Sequence, residues 1–193
     1  PILKFQFTVP KGFRLINSPS AVIAKNQGKS IIQFDMVPGP YNGSMHQYIR
    51  NRWAPKASLK NFKSIIVNGM MGSTALTRIK RSDGVFDLRF VAIHDSNNQI
   101  FRMLFLTPLN RTTALSQELR RTTLSLRMLT NQEASKVKPF KITVKAVGKN
   151  ATIHSLSNRM KSPYFKEETF RVLNGLGSTA KLRKGQLIKL VTY

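Results

Sequence analysis

The chain is poor in the residues that build catalytic and metal sites. Of its 193 residues, none is cysteine, three are histidine and eight are acidic. The absence of cysteine excludes a disulfide framework and any thiolate-bound metal. No two of the histidines (His46, His94 and His154) have the i, i+4 spacing with which one helix face binds zinc. We therefore expect no metal-binding residue in the chain.

Long apolar runs are also missing. No stretch reaches the roughly 18 consecutive apolar residues of a transmembrane helix, and the basic-then-apolar pattern of a secretory signal is absent. The chain begins with Pro1 instead of methionine. We therefore expect it to be a piece of a longer protein whose targeting segment and other domains lie upstream.

No group of residues has a catalytic spacing. The serines lack the Gly-x-Ser-x-Gly elbow of hydrolases, and the glycines around Gly69 and Gly175 lack the Lys-Ser/Thr ending of a phosphate loop. Asp83 and Asp87 are close in sequence, but we expect one in a turn and the other on a strand, so they do not form an acid and base pair. The sequence predicts that the chain itself is not an enzyme and has no catalytic residue.

Positive charge is what the chain has in excess. Its 32 lysines and arginines give a net charge of +24, of which +15 falls in residues 1–140 and +9 in residues 141–193. Such a surplus attracts phosphates, anionic lipids and anionic polymers. The basic clusters are not interleaved with aromatic residues, as a platform for stacking nucleotide bases would be. A basic, solvated surface is the plain interpretation, and a module that binds polyanions or nucleic acid is an alternative.

The first part of the chain has the alternating pattern of an antiparallel sheet. Turns at Asn68-Gly69, Asp83-Gly84 and Asn97-Asn98 join the later strands into a meander, whose last strand is apolar on both faces and should be central. The predicted strands are Phe5–Val9, Phe13–Ile16, Ala21–Lys25, Ser30–Val37, Ile65–Asn68, Ser73–Lys80, Val85–His94 and Gln99–Thr107.

Two amphipathic helices interrupt and follow these strands. Apolar residues from Met45 to Trp53 have helical spacing behind Ser44, a predicted N-cap, and a second helix is predicted from Leu115 to Leu129. The fold class expected is therefore α+β, an antiparallel sheet covered by helices.

A domain boundary is predicted near Val137, because Lys138-Pro139 ends the helical pattern and starts an extended segment. The sequence thus predicts an accessory domain over 1–137 and a small domain over 138–193. The pattern of the small domain predicts the order strand, helix, helix, strand, in which Thr152 caps the first helix and Asn174-Gly175 ends the second.

This order, with Leu173-Asn-Gly-Leu176 and the ending Leu182-x-x-Gly-Gln-x-Ile-Lys-Leu190, resembles the LysM module, whose relatives bind the N-acetylglucosamine backbone of peptidoglycan or chitin. Before the first helix the chain has Asn-Ala-Thr where LysM modules usually have Gly-Asp-Thr. The glycan-binding residues that the resemblance implies are Asn150, Thr152, Ile153, Leu173, Asn174, Gly175 and Leu176.

Four further segments carry a resemblance that covers nearly the whole chain: Val9–Phe13, Leu124–Ala134, Lys138-Pro139 and Phe170–Leu176. With them, the chain resembles the region downstream of the peptidase domain in bacterial envelope zinc proteases of the HtpX type. The resemblance implies an accessory domain of PsbP/Mog1-like pattern followed by a LysM-like module, in the periplasm or cell envelope. It implies zinc only in the upstream peptidase domain, because no HExxH occurs here, and no cofactor in this chain.

The partners expected are the upstream peptidase or repeat domain of the same protein and peptidoglycan. A purely structural role is the remaining alternative: a protein-interaction domain that docks an upstream domain through a sheet edge or its basic face.

Overall fold

The computed structural model describes residues 4–95, 99–162 and 165–193. They divide into two units, the first ending at Thr130 and the second comprising Asn131–Tyr193. The division falls before the short helix Asn131–Lys136, whereas the sequence placed it near Val137. The predicted turn at Asn97-Asn98 lies outside the described residues.

The first unit is built on antiparallel strands. They are β1 (Phe5–Gln6), β2 (Arg14–Asn17), β3 (Val22–Lys25), β4 (Ile31–Pro38), β5 (Lys60–Val67), β6 (Met70–Arg81), β7 (Gly84–His94), β8 (Gln99–Pro108) and β9 (Arg127–Met128). Seven of them form one sheet in the order β2-β3-β4-β8-β7-β6-β5, and β1 and β9 form a separate pair. The predicted meander is confirmed as β5-β6-β7-β8, and β8 is the central strand, as predicted.

The two described hairpin turns of the meander differ. At the first, Asn68 and Gly69 both take positive φ, 48° and 84°, as an Asn-Gly hairpin requires. At the second, Arg81 pairs with Gly84, so the loop is Ser82-Asp83, one residue earlier than the Asp83-Gly84 turn expected from sequence. There only Gly84 has positive φ, 136°.

Helices cover both faces of this sheet. The first, α1 (Met45–Tyr48), continues as a π-helix over Ile49–Trp53 and begins with the predicted cap, because Ser44 and Gln47 form a reciprocal capping box. The second, α2 (Thr112–Leu124), packs Leu119 into the core of the opposite face. The fold class is α+β, an antiparallel sheet covered by helices.

Helix α2 ends five residues before the predicted Leu129. Its last turn is closed by Asn68, whose side-chain amide donates to the carbonyl oxygens of Leu124 and Leu126 at 3.1 and 2.8 Å. Leu126 then enters the core with none of its surface exposed, and the chain pairs with β1 through β9. The burial of Leu126 and the hydrogen bonds between β9 and β1 stabilise the chain here more than a continued helix would, although the spacing of the apolar residues is helical.

The second unit has the predicted strand, helix, helix, strand order after a short helix, α3 (Asn131–Lys136). Strand β10 (Lys141–Ala146) pairs antiparallel with β11 (Leu187–Thr192), and α4 (Ile153–Asn158) and α5 (Lys166–Leu173) lie between them in sequence. Its own core consists of Val147, Ile153, Leu156, Met160, Phe170, Ile188 and Leu190. No helix within the described ranges of either unit is long and apolar enough to cross a membrane.

Asn68 supplies a test of how the first unit is held together. We expect Asn68→Gly to lower the free energy of unfolding by about 1 kcal/mol, because two hydrogen bonds to the end of α2 are lost while glycine tolerates the positive φ. Asn68→Ala should lower it by about 1 kcal/mol more, because a β-carbon is strained in the left-handed region. Urea unfolding followed by the fluorescence of Trp53, the only tryptophan and part of this unit's core, measures both. Equal stabilities of the two variants would contradict this account of the turn.

Candidate functional site

The seven residues that the sequence singles out lie at two connections of the second unit. One connection leads from β10 into α4, and the other leads from α5 towards β11. The first carries Asn150, Thr152 and Ile153, and the second carries Leu173, Asn174, Gly175 and Leu176.

The end of α5 has the geometry of a Schellman motif. Gly175 takes φ of 62°, its N–H donates to the carbonyl oxygen of Val172 at 3.2 Å, and the N–H of Leu176 donates to that of Arg171 at 2.9 Å. Glycine is needed here because L-residues with a β-carbon are strained at this φ. The Asn-Gly pair of the sequence is therefore a helix stop, as predicted.

Asn174 ties this helix end to the edge of β11. Its side-chain amide nitrogen donates to the carbonyl oxygens of Phe170 and Lys189, and its Oδ1 accepts the N–H of Lys189 at 2.6 Å. Both backbone groups of Lys189 on the strand's free edge are thereby satisfied. The Asn174 side chain therefore positions the connection, and its amide is occupied.

The loop that follows α5 is held by Arg171. Its guanidinium donates to Glu167 Oε1 at 3.1 and 2.8 Å and, through Nη1, to the carbonyl oxygen of Gly177 at 2.7 Å. A guanidinium that bridges a helix carboxylate and a loop carbonyl fixes the loop relative to the helix. The segment after Leu176 thus leaves α5 in a defined direction.

The other connection is fixed by the cap of α4. Thr152 and Ser155 form a reciprocal capping box, with each side chain accepting the other's backbone N–H at 3.0 Å. Ile153 is buried in the unit's core. Asn150 is exposed, and its side chain makes no hydrogen bond to any residue that the structure describes. Of these three residues, Asn150 alone presents a free polar side chain.

The two connections lie side by side. Val147 donates its N–H to the carbonyl oxygen of Gln186 and accepts the N–H of Gly185, both at 2.9 Å. Ala151 from the first connection, and Leu176 and Leu182 from the second, pack against the same core. The hydrogen bonds therefore join the start of the first connection to the end of the second, and Ala151 and Leu176 lie against one shared core.

The backbone of these connections is accessible. A β-carbon built on Gly148, Gly175, Gly177 or Gly185 meets no heavy atom within 4 Å. Neither segment contains an acidic residue, and Lys149, Lys181, Arg183 and Lys184 are exposed within them. The surface is thus cationic, and a ligand can approach its backbone closely at these glycines.

The sequence reasoning missed a second surface on this unit. The outer face of the β10–β11 sheet carries an exposed apolar row: Phe140, Ile142, Val144, Leu187 and Tyr193. The rings of Phe140 and Tyr193 stack with their centroids 5.5 Å apart. The alternation Phe140-x-Ile142-x-Val144 was the available signal, because it places three apolar residues on one face of a strand. We call this row the outer sheet face.

Two of the three histidines lie in ordinary environments, whereas Nε2 of His94 is buried without a hydrogen-bond partner among the described residues. The ring of His46 stacks on Phe62 with centroids 3.8 Å apart, and His154 is exposed beside Asn158 and Glu167. In the part of the chain that the structure describes, no three His, Asp or Glu side chains are grouped so that they could hold a metal ion.

Asn174 and Asn150 make a matched pair for testing this geometry. We expect Asn174→Ala to speed amide exchange of Lys189 at least tenfold, because the amide loses its acceptor, corresponding to a net loss of about 1.5 kcal/mol. Asn150→Ala should leave it unchanged, because the side chain is free. Hydrogen exchange read by mass spectrometry on the C-terminal peptide measures both. Unchanged exchange in Asn174→Ala would show that the edge of β11 does not depend on this amide.

No family model and no curated protein matches this chain. Several solved structures resemble it in part, and three of them illustrate the similarity. The solution structure of cyanobacterial PsbP (CyanoP) from Synechocystis sp. PCC 6803 is 13% identical over 65% of this chain and 86% of that chain, with a TM-score of 0.48. LpqN, involved in cell envelope biogenesis of Mycobacterium tuberculosis, is 10% identical over 65% and 83%, with a TM-score of 0.46. A protein of Bacteroides thetaiotaomicron VPI-5482 is 10% identical over 72% and 48%, with a TM-score of 0.49. Similarity at this level carries no inference about what the chain binds.

Proposed function

We propose that this chain is a non-catalytic accessory region of a bacterial envelope zinc metalloprotease of the HtpX type, acting in the periplasm. Its first unit, of PsbP/Mog1-like pattern, docks a substrate or partner. Its second unit is a LysM-like module that binds the N-acetylglucosamine backbone of peptidoglycan. The sequence segments starting at Val9, Leu124, Lys138 and Phe170 support the parent family, and the strand, helix, helix, strand order supports the module.

The single observation that carries the glycan proposal is the pairing of the two connections through Val147. A polysaccharide chain presents acetamido N–H and C=O groups at regular intervals, and these match backbone donors and acceptors better than they match charged side chains. Open glycines at Gly148 on one connection and Gly177 on the other let such a chain approach the peptide groups closely.

The predicted residues then have different roles. Asn174, Thr152 and Ile153 position the two connections and do not touch the glycan with their side chains. Asn150 is the side chain free to donate to and accept from it. Leu173, Gly175 and Leu176 contribute the backbone and the apolar edge of the site, because Leu176 is only partly buried against the core.

Tryptophan at the two open glycines tests the glycan proposal. Gly148 and Gly177 have no positive φ and no neighbour within 4 Å, so Gly148→Trp and Gly177→Trp should fold normally and block the approach of a glycan. We expect retention on purified peptidoglycan at about 0.15 M ionic strength to fall at least tenfold in each. Co-sedimentation measures the retained fraction.

Glu168→Trp is the control for these variants. Glu168 is exposed in the first turn of α5, at the opposite end of that helix from Gly175, and its loss makes the chain no less basic. The Glu168→Trp variant should be retained on peptidoglycan as well as the unsubstituted chain is. If Gly148→Trp and Gly177→Trp are retained equally well, glycan binding does not occur at these connections.

A second candidate function, docking of an upstream domain, is favoured by the outer sheet face. A contiguous exposed apolar surface on a domain marks an interaction site. The outer sheet face also contains one positive charge, because Lys189 lies opposite Val144 on the neighbouring strand. The partner we propose is the peptidase domain of the same protein, which would bind through an apolar surface with acidic side chains that complement Lys189.

Aspartate on the outer sheet face tests this second candidate. Ile142 and Leu187 are 59% and 71% exposed, so Ile142→Asp and Leu187→Asp cost little stability and put charge into an apolar contact. We expect at least tenfold weaker association with the separately expressed peptidase region, measured by calorimetry. Val172→Asp, at an exposed position on α5, should bind normally. Equal weakening by all three would exclude the outer sheet face as a specific docking surface.

A further inference from the structure

A cavity of about 640 Å³ lies in the first unit, between the side of α2 and strands β5, β6 and β7. Its volume falls within the range of small-molecule sites, roughly 300–1,000 Å³. We call it the α2 cavity. The lining residues that matter for binding are Lys63, Ile65, Thr74, Arg89, Arg120 and Leu124.

The cavity exists because this face of the sheet is covered incompletely. A helix about 10 Å across covers about two strands spaced about 4.8 Å apart, and the sheet has seven strands. Helix α2 packs Leu119 into the core, and Phe5 and Phe7 cover Phe34 with ring centroids 4.9 and 4.7 Å apart. The remaining strip, over β5, β6 and the neighbouring part of β7, is the floor of the α2 cavity.

Three cations line this strip. The strand register places Lys63 opposite Thr74 and Thr74 opposite Val91, two residues along β7 from Arg89. The side chains of Lys63 and Arg89 therefore leave the backbone on the same face of the sheet, from Cα atoms about 10–12 Å apart. Arg120 faces them from α2, one turn after Ser116. Side chains of this length can converge on one anion from three sides.

A bulge in β5 places Lys63 on this face. The register with β6 shifts between Lys60 and Lys63, and Asn61 takes φ of 54°. The buried hydroxyl of Ser73 donates to the carbonyl oxygen of Lys63 at 3.1 Å, which holds the strand just after the bulge. Bulges re-aim side chains, and they are frequent beside binding sites.

These cations are unpaired, whereas others on the same sheet are paired. Arg78 bonds Asp87 and Arg102 bonds Asp35. Within the ranges that the structure describes, Lys63, Arg89 and Arg120 make no ion pair and no side-chain hydrogen bond.

The acid closest to Arg89 along β7 is already occupied. Both Asp87 oxygens accept bonds, from Arg78 Nε and from Thr112 Oγ1, at 2.8 Å each. Its charge is therefore offset by Arg78, and no carboxylate of a described residue forms an ion pair with the three cations around the α2 cavity.

From these features we propose that the α2 cavity binds a phosphate monoester with an apolar body. Arginine binds phosphate in a bidentate manner and lysine adds a point charge, while the hydroxyl of Thr74 can donate to a remaining oxygen. Ile65, which is partly buried, and Leu124, which is 43% exposed, are apolar residues of the lining that can contact the organic part of the ester. The proposal is independent of glycan binding by the second unit.

Calorimetric titration of the full chain with phenyl phosphate tests the proposal. We expect one-to-one binding, weakened about tenfold or more by Arg89→Gln, because a charge-assisted bond is lost. Lys63→Gln and Arg120→Gln should also weaken it, and both change exposed side chains without a structural partner in the described chain, so they test the site even if Arg89→Gln folds poorly. Phenol should not bind.

Arg14→Gln is the matched control. Arg14 is exposed on β2, at the opposite edge of the sheet from β5, and its loss removes one positive charge as well. Binding should be unchanged. Equal weakening by Arg14→Gln and Arg89→Gln, or equal binding of phenol, would overturn the proposal by showing general charge attraction or apolar binding alone.

Vesicles of phosphatidylcholine with and without phosphatidic acid separate the two sources of a phosphate monoester. Binding to phosphatidic acid that depends on Lys63, Arg89 and Arg120, without binding of phenyl phosphate, would support a lipid as the source. Binding of phenyl phosphate with the same dependence supports a soluble ester. Binding to neither ligand overturns the proposal.

Discussion

The burial of β8 on both of its faces is the constraint on which the first unit depends. Phe101, Met103 and Phe105 lie in one core, and Ile100 lies in the other. A strand with apolar side chains on both faces must be central and covered on both sides, since each exposed large side chain would cost about 1.5–3 kcal/mol; its one charged residue, Arg102, is paired with Asp35 of β4. The neighbours β4 and β7 then protect its backbone hydrogen bonds.

Covering β8 from both sides determines where the helices lie. The crossover from β4 to β5 carries α1 over one face, and α2 returns over the other after β8 ends. On the second face, the 13 residues of α2 and the segment with Phe5 and Phe7 are too small to cover seven strands. The α2 cavity is thus a consequence of the same topology that protects β8. Its positive charge comes instead from the identity of the lining residues Lys63, Arg89 and Arg120.

Much of this fold was predictable because hydrophobic period and turn chemistry are local. The strands of the meander, the Ser44 cap and the Asn174-Gly175 stop all follow from residues that act within a few positions. The end of α2 was predicted wrongly, because Asn68 closes it from a distant hairpin. The α2 cavity was not predictable either, since Lys63, Arg89 and Arg120 come from three elements that only the sheet register brings together.

In the functions proposed for this chain, recognition occurs at defined sites and not through the +24 charge. Retention on chitin is a direct test of this proposal, because chitin is an uncharged polymer of N-acetylglucosamine. We expect retention of the chain on chitin to change little with salt, while its binding to DNA falls steeply as counterions compete. Absence of retention on chitin, with peptidoglycan and DNA released at the same salt concentration, would contradict it.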